Sequence, residues 1–337
     1  MSATRRLDIL ALIGGMLAVS IVAALIGWAI KNAFSKNPQD AIQAIVRTMP
    51  KSDVRADLQA SVNSASGPSF KPDVQELRQG IRDFPNSARL HFRLATSLTG
   101  PRSSAELERT MKLDPRNALP VYLLAANASA AGRWDESARL LSIADPLSRM
   151  DGYNADIGLA GGNLLGEVSI IAAISAARFP IYAELRRLAK DVGQRSLQVH
   201  EQQSHKSRAT PEALRQLAMV KRMGWKLVES KDATVMDAMV GTAIVTTCQT
   251  TARRIFTQLG DKAALAGLQP EQDRLIYIRA GGKWYVGVIL RDRTAQGKMQ
   301  GAYQAEQAFV RDLVAGNITV PEKYIREERK REAARKK

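Results

Sequence analysis

Phe84-Pro85-Asn86-Ser87-Ala88 recurs thirty residues later as Asp114-Pro115-Arg116-Asn117-Ala118. Each copy is followed by a similar apolar helix, His91-Phe92-Arg93-Leu94-Ala95 in the first and Val121-Tyr122-Leu123-Leu124-Ala125 in the second. In the second unit Gly132-Arg133-Trp134 supplies a turn and Asp135 to Ala144 a return helix. Helix, short glycine-containing turn and antiparallel helix make up the unit of a helical solenoid, in which each hairpin buries its apolar face against the next.

On these residues the stretch 84–146 resembles the tetratricopeptide repeat. The large–Leu–small pattern of that family falls on Val121, Leu124 and Ala125, and on His91, Leu94 and Ala95. Its downstream half falls on Ser137, Leu141 and Ala144, and on Ser103, Leu107, Thr110 and Pro115. The first unit is about four residues short, Pro120 lies inside a first helix, and no third repeat is legible. The resemblance implies a groove that binds extended peptides, lined by one face of each first helix. Carried onto this chain, that face holds Arg89, Phe92 and Thr96 in the first unit and Leu119, Tyr122 and Ala126 in the second. The same residues also suit plain packing between helices.

Outward from the repeat, Ile9–Ile30 is a 22-residue run in which Ser20 is the only conventional polar side chain. At 1.5 Å per residue it would span about 33 Å, enough for a hydrocarbon core of about 30 Å. Arg5 and Arg6 precede it and Lys31 and Lys36 follow, with no A-x-A cleavage site after Ile30, so an uncleaved single-pass anchor is expected. A short tail inside and the bulk of the chain outside the cytoplasm is the expected orientation. The domain scheme is a tail over 1–8, the anchor over 9–30, and a helical juxtamembrane segment and linker over 31–72. The repeats then fill 73–150, a helical domain 151–320 and a basic tail 321–337.

Within 151–320, Ile157–Ala177 is apolar, with Gly158, Gly162 and Gly166 four apart on one helical face. Glu167 near its centre favours a buried helix over a second span. A helix from about Ile181 to Gln203 follows Pro180. Thr210-Pro211-Glu212 starts another, and Asp232 is expected to cap a long helix through Cys248 and Ile255. Leu275–Ile278 and Trp284–Leu290 are β-branched and aromatic-rich, separated by Ala280-Gly281-Gly282-Lys283, and this predicts a β-hairpin near 274–290. The fold class expected is therefore mainly α: a transmembrane helix, tetratricopeptide-like hairpins and one late β-hairpin.

Composition bounds the chemistry. One cysteine, Cys248, removes a disulfide framework and any cysteine-rich metal site. His200 and His205 are five apart and miss the spacing of a helical metal pair, and Gly281-Gly282 lacks the rest of a phosphate loop. No catalytic, cofactor or metal residues are assigned. The 49 Lys and Arg against 33 Asp and Glu leave a charge of +16, which favours anionic partners. Seven of these cations fall in Arg326–Lys337, interleaved with Glu327, Glu328 and Glu332, and poor in aromatics. Anionic lipid or an acidic protein therefore fits that tail better than nucleic acid. The function expected is a membrane-anchored, non-catalytic scaffold or assembly factor that binds another protein. Two alternatives stay open: a tethered enzyme or small-molecule binder with a pocket near 274–290, and a structural subunit of a larger membrane complex.

Overall fold

The computed structural model describes residues 46–64, 72–153, 167–203, 209–292 and 302–335. Thirteen α-helices occur among them. Those of the amino-terminal half are α1 (Asp53–Ser64), α2 (Val74–Asp83), α3 (Ala88–Ser97), α4 (Gly100–Leu113), α5 (Ala118–Ala130) and α6 (Trp134–Ala144). They are followed by α7 (Glu167–Gln203), α8 (Ala209–Glu229), α9 (Val235–Leu259), α10 (Lys262–Gly267) and α11 (Gln269–Trp284). A π-helical turn, Tyr285–Leu290, extends α11, and α12 (Ala302–Ala315) and α13 (Glu322–Arg335) close the chain.

The helix starts have local causes. Asp73 accepts hydrogen bonds from the N–H groups of Gln75 and Glu76, Ser87 from Leu90 and Asn117 from Leu119. Each satisfies a donor that the first turn leaves unpaired. Pro120 is the third residue of α5, where its missing N–H has no intrahelical acceptor to lose. α3 pairs with α4 and α5 with α6, and the two hairpins share one internal hydrogen bond. Ser103 Oγ donates to the Ala95 carbonyl at 2.9 Å in the first, and Ser137 Oγ to the Ala125 carbonyl at 3.0 Å in the second. The buried Leu107 and Leu141 follow each serine by four residues, so both hairpins close on the same small–large register.

Among the described residues three apolar cores result. Ala60, Leu77, Leu90 and Leu94 hold α1–α3 together. A central core runs from Phe92 through α5 and α6 to α7, α8 and α9. A third joins the end of α8 and the start of α9 to α11, α12 and α13, around Val235, Ile278, Val310 and Leu313.

Several expectations are corrected here. Residues 9–30 lie outside the described residues. Among those described, no helix is long and apolar enough to cross a membrane. A span needs about 20 predominantly apolar residues, and the long helices of this fold are interrupted by charge, as α7 is by Arg186 and Arg187. The single-pass membrane protein with an extracytoplasmic bulk does not stand on that finding. Gly158 and Gly162, with Gly166, also fall outside the described residues.

The β-hairpin near 274–290 is not formed either, and no strand occurs among the described residues. Leu275–Gly282 is helical because it is buried nearly all round, and the helical turns continue from it through the partly exposed Trp284–Leu290. Leu275, Ile278 and Ala280 are in the core, and the two glycines serve close approach rather than a turn. A Cβ on Gly281 would lie 2.3 Å from Leu313 Cδ1, and one on Gly282 2.9 Å from Met239 Sδ. Short apolar runs are ambiguous between strand and buried helix, and packing overrides their β propensity. α7 likewise continues through Pro180, where a break was expected. A proline in a helix interior loses a hydrogen bond and crowds the preceding turn. Burial of Ile181, Leu185, Leu188 and Val192 immediately after it offsets that loss. The cap of α9 is Thr234, not Asp232. Its hydroxyl and the Asp237 carboxylate form a reciprocal capping box.

Candidate functional site

A cleft of about 980 Å³ lies between the carboxy-terminal ends of α3 and α5, the start of α4 and the middle of α7. Ala95, Leu107, Leu123 and Ile181 contribute apolar walls. Arg133, Glu184 and Arg187 bring charge to it. Arg187 is positioned twice over: its Nη2 donates to the Ala126 carbonyl at 3.2 Å and pairs with Glu184 one turn earlier. The first contact places a cation on a carbonyl in the last turn of α5, where the helix dipole favours it. Across the cleft Asn127 Nδ2 donates to Ser104 Oγ at 3.2 Å, tying α5 to α4.

The six residues carried over from the repeat pattern do not lie together on one open face. Phe92, Tyr122, Leu119 and Ala126 are buried in the core, and Arg89 is buried as well. Only Thr96, partly exposed, lines the cleft. Phe92 is covered by Tyr153, whose ring meets it edge-on at 5.4 Å. Tyr122 is covered by α8. Lys226 Nζ donates to its hydroxyl at 3.2 Å and to the carbonyls of Ala144 at 3.1 Å and Asp145 at 2.5 Å. Burial lowers the Lys226 pKa, while those carbonyls give the ammonium a helix carboxy-terminus to cap. Leu119 lines a second pocket, about 520 Å³, with Arg149–Gly152, Tyr182 and Asp237. There the Asp237 carboxylate is committed to the Tyr182 hydroxyl at 2.6 Å and to the Thr234 N–H at 2.9 Å.

The cleft wall from α7 carried no local signal in the sequence. Arg187 and Ala126 are 61 residues apart, and nothing near Arg187 marks it as a partner of the repeat.

Other candidates resolve as follows. His200 is buried, with Nδ1 3.0 Å from Thr210 Oγ1, and His205 lies outside the described residues. Among the described residues no group of three or more His, Cys, Asp or Glu is arranged to hold a metal. Cys248 is buried on α9, and burial pushes its thiol up to about 12, so at neutral pH it is a thiol rather than a nucleophilic thiolate. Two carboxylates of the basic tail turn inward, while Glu327 stays exposed. Glu328 and Glu332 on α13 are buried against α11, where they pair with Arg279 and, through Glu328, with Lys283. Lys323, Arg326 and Lys330 are left on the exposed side of α13.

Fold and site together define an all-helical protein, over the described residues, whose paired hairpins carry a cleft at one end. Compared with protein families, curated proteins and solved structures, the chain matches none. The tetratricopeptide resemblance therefore rests on the residues of 84–146 alone.

Proposed function

We propose that this chain is a non-catalytic scaffold that binds another protein, with the cleft between α3–α5 and α7 as the docking place. The observation that carries this reading is the cleft itself: about 980 Å³, walled by small and aliphatic side chains and edged with charge. An apolar floor supplies area for a helix or an extended segment, and charged edges orient it. The +16 balance of the chain favours an acidic partner and speeds its encounter.

The test is capture with the full chain and with variants that fill the cleft. Ala105 and Ala183 line it and are exposed, so Ala105→Trp and Ala183→Trp occupy the space without entering a core. The wild type is expected to co-elute with a stoichiometric protein partner, and each variant to lose it while its melting temperature stays within about 2 °C. A wild type that elutes alone, or a partner still held by both filled variants, overturns the proposal.

A further inference from the structure

After α6 the chain does not loop out. Residues 149–153 pass across the amino-terminal end of α5. The Arg149 carbonyl accepts from the Ala118 N–H at 2.8 Å, within an isolated parallel bridge between Asn117 and Arg149. The Asn117 side chain then takes both backbone groups of Asp151: its Oδ1 accepts the N–H at 3.0 Å and its Nδ2 donates to the carbonyl at 2.8 Å. Asn117 is wholly buried. One turn back, the Asp114 carboxylate accepts from the Tyr153 hydroxyl at 2.6 Å and pairs with the Arg149 guanidinium. The Tyr153 ring rests on Phe92, and Met150 is buried in the central core.

Recognition here is divided in two. Three backbone groups are held by α5 and its cap, whatever side chains they carry. Two side chains four residues apart, an arginine and a tyrosine, are selected by Asp114 and Phe92. That division is how proteins hold extended segments of other chains. Tyr153 moreover sits at φ +58°, the one positive φ of a non-glycine residue among those described. A tyrosine in that region is strained by contact between its Cβ and the backbone. The pocket of about 520 Å³ beside Ser148–Gly152 leaves room for larger side chains at the middle positions.

We propose that Phe92, Asp114 and Asn117 form a binding site for an extended peptide of another chain, one with an arginine followed four residues later by a tyrosine. Arg149–Tyr153 is its resident occupant in cis. An incoming peptide replaces the same hydrogen bonds and releases the strain at Tyr153, but competes with the effective concentration of the tethered segment, so exchange is set by the partner's concentration. The site lies at the opposite end of α3 and α5 from the cleft and stands independently of it.

The probe is the capped, fluorescently labelled peptide Arg-Met-Asp-Gly-Tyr, titrated against the full chain by anisotropy. Arg149→Ala with Tyr153→Ala vacates the side-chain positions, and this double variant is expected to bind the probe roughly tenfold more tightly than wild type. Asn117→Ala in that background returns binding to the wild-type level, and a probe with Phe for Tyr and Ala for Arg binds roughly tenfold more weakly. The proposal is overturned if the folded double variant binds no better than wild type, or if Asn117→Ala leaves its binding unchanged. Should the double variant not fold, hydrogen exchange of the wild type decides. An Asp151 N–H exchanging roughly a hundredfold faster than the buried amides of α5 supports an exchangeable occupant. Protection equal to that of α5 overturns it.

Discussion

Asp57 on α1 and Arg93 on α3 are opposite charges almost wholly withdrawn from water, with Nε 3.0 Å from Oδ2 and both side chains at most 2% exposed. Burial pushes the Asp57 carboxyl up, against the pull of the Arg93 charge. Such a pair is costly to break because removing one partner leaves the other charge buried alone. Asp57→Ala is therefore expected to lower the unfolding free energy by about 3–5 kcal/mol, read from urea denaturation. Replacing both, as Asp57→Leu with Arg93→Met, should recover most of that loss, since an apolar pair of similar size has no charge to desolvate. A single variant that loses less than about 1 kcal/mol would show that water reaches the site. In the sequence Arg93 reads as an ordinary member of His91–Ala95. Nothing local marks it as half of a pair whose other half is 36 residues away.

At the scale of elements, α8 and α9 touch backbone to backbone. A Cβ on Gly241 would lie 2.5 Å from the Gly224 carbonyl oxygen and 2.6 Å from Val228 Cγ2. Gly241→Ala is expected to destabilise by about 1–3 kcal/mol, because the two helices must separate and give up packing along their length. Gly287→Ala is the control: nothing lies within 4 Å of the added methyl, so its midpoint should stay within about 0.5 kcal/mol of wild type. Equal effects of the two would remove the close-approach explanation. Hairpin α5–α6 was legible because its signals are local: a proline-marked start and Gly132 at the turn, which the structure places at φ +71°. The late segment was not. Leu275–Leu290 and its glycines have the composition of strand–turn–strand, and only the Leu313 and Met239 side chains pressed against Gly281 and Gly282 show why it is helical.

Over the whole molecule, the central and carboxy-terminal cores meet along α8 and α9, and Glu271 fastens that joint. From the first turn of α11 it accepts from Lys221 Nζ at 2.9 Å and Trp225 Nε1 at 2.6 Å on α8, and from Gln249 Nε2 at 2.7 Å on α9. Burial raises its carboxyl pKa, but these hydrogen bonds and the Lys221 charge outweigh it and hold the group below the usual 4.5. A depressed native pKa means that the carboxylate's contribution is fully present above the unfolded value and is lost as the pH falls through the native one. Glu271→Gln is expected to cost about 1–2 kcal/mol near pH 7, a modest figure because the carboxylate is a fifth exposed. The gap between variant and wild type should close as the pH is lowered from about 5 to 3, followed by urea midpoints. A gap that persists unchanged at pH 3 would place the effect in packing rather than in the charge.

The sequence alone determined that the described region is mainly helical and that paired hairpins follow Ser87 and Asn117. Each depends on neighbours within a turn or two, where capping and apolar periodicity act. Tertiary structure alone decided what covers the repeat face, since Tyr153 and Lys226 reach Phe92 and Tyr122 from 61 and 104 residues away. It also decided that the apolar run 275–290 is helical and that Glu328 and Glu332 of the tail face inward. These outcomes follow from contacts between distant segments, and hydrophobic burial is indifferent to the sequence separation of the surfaces it joins.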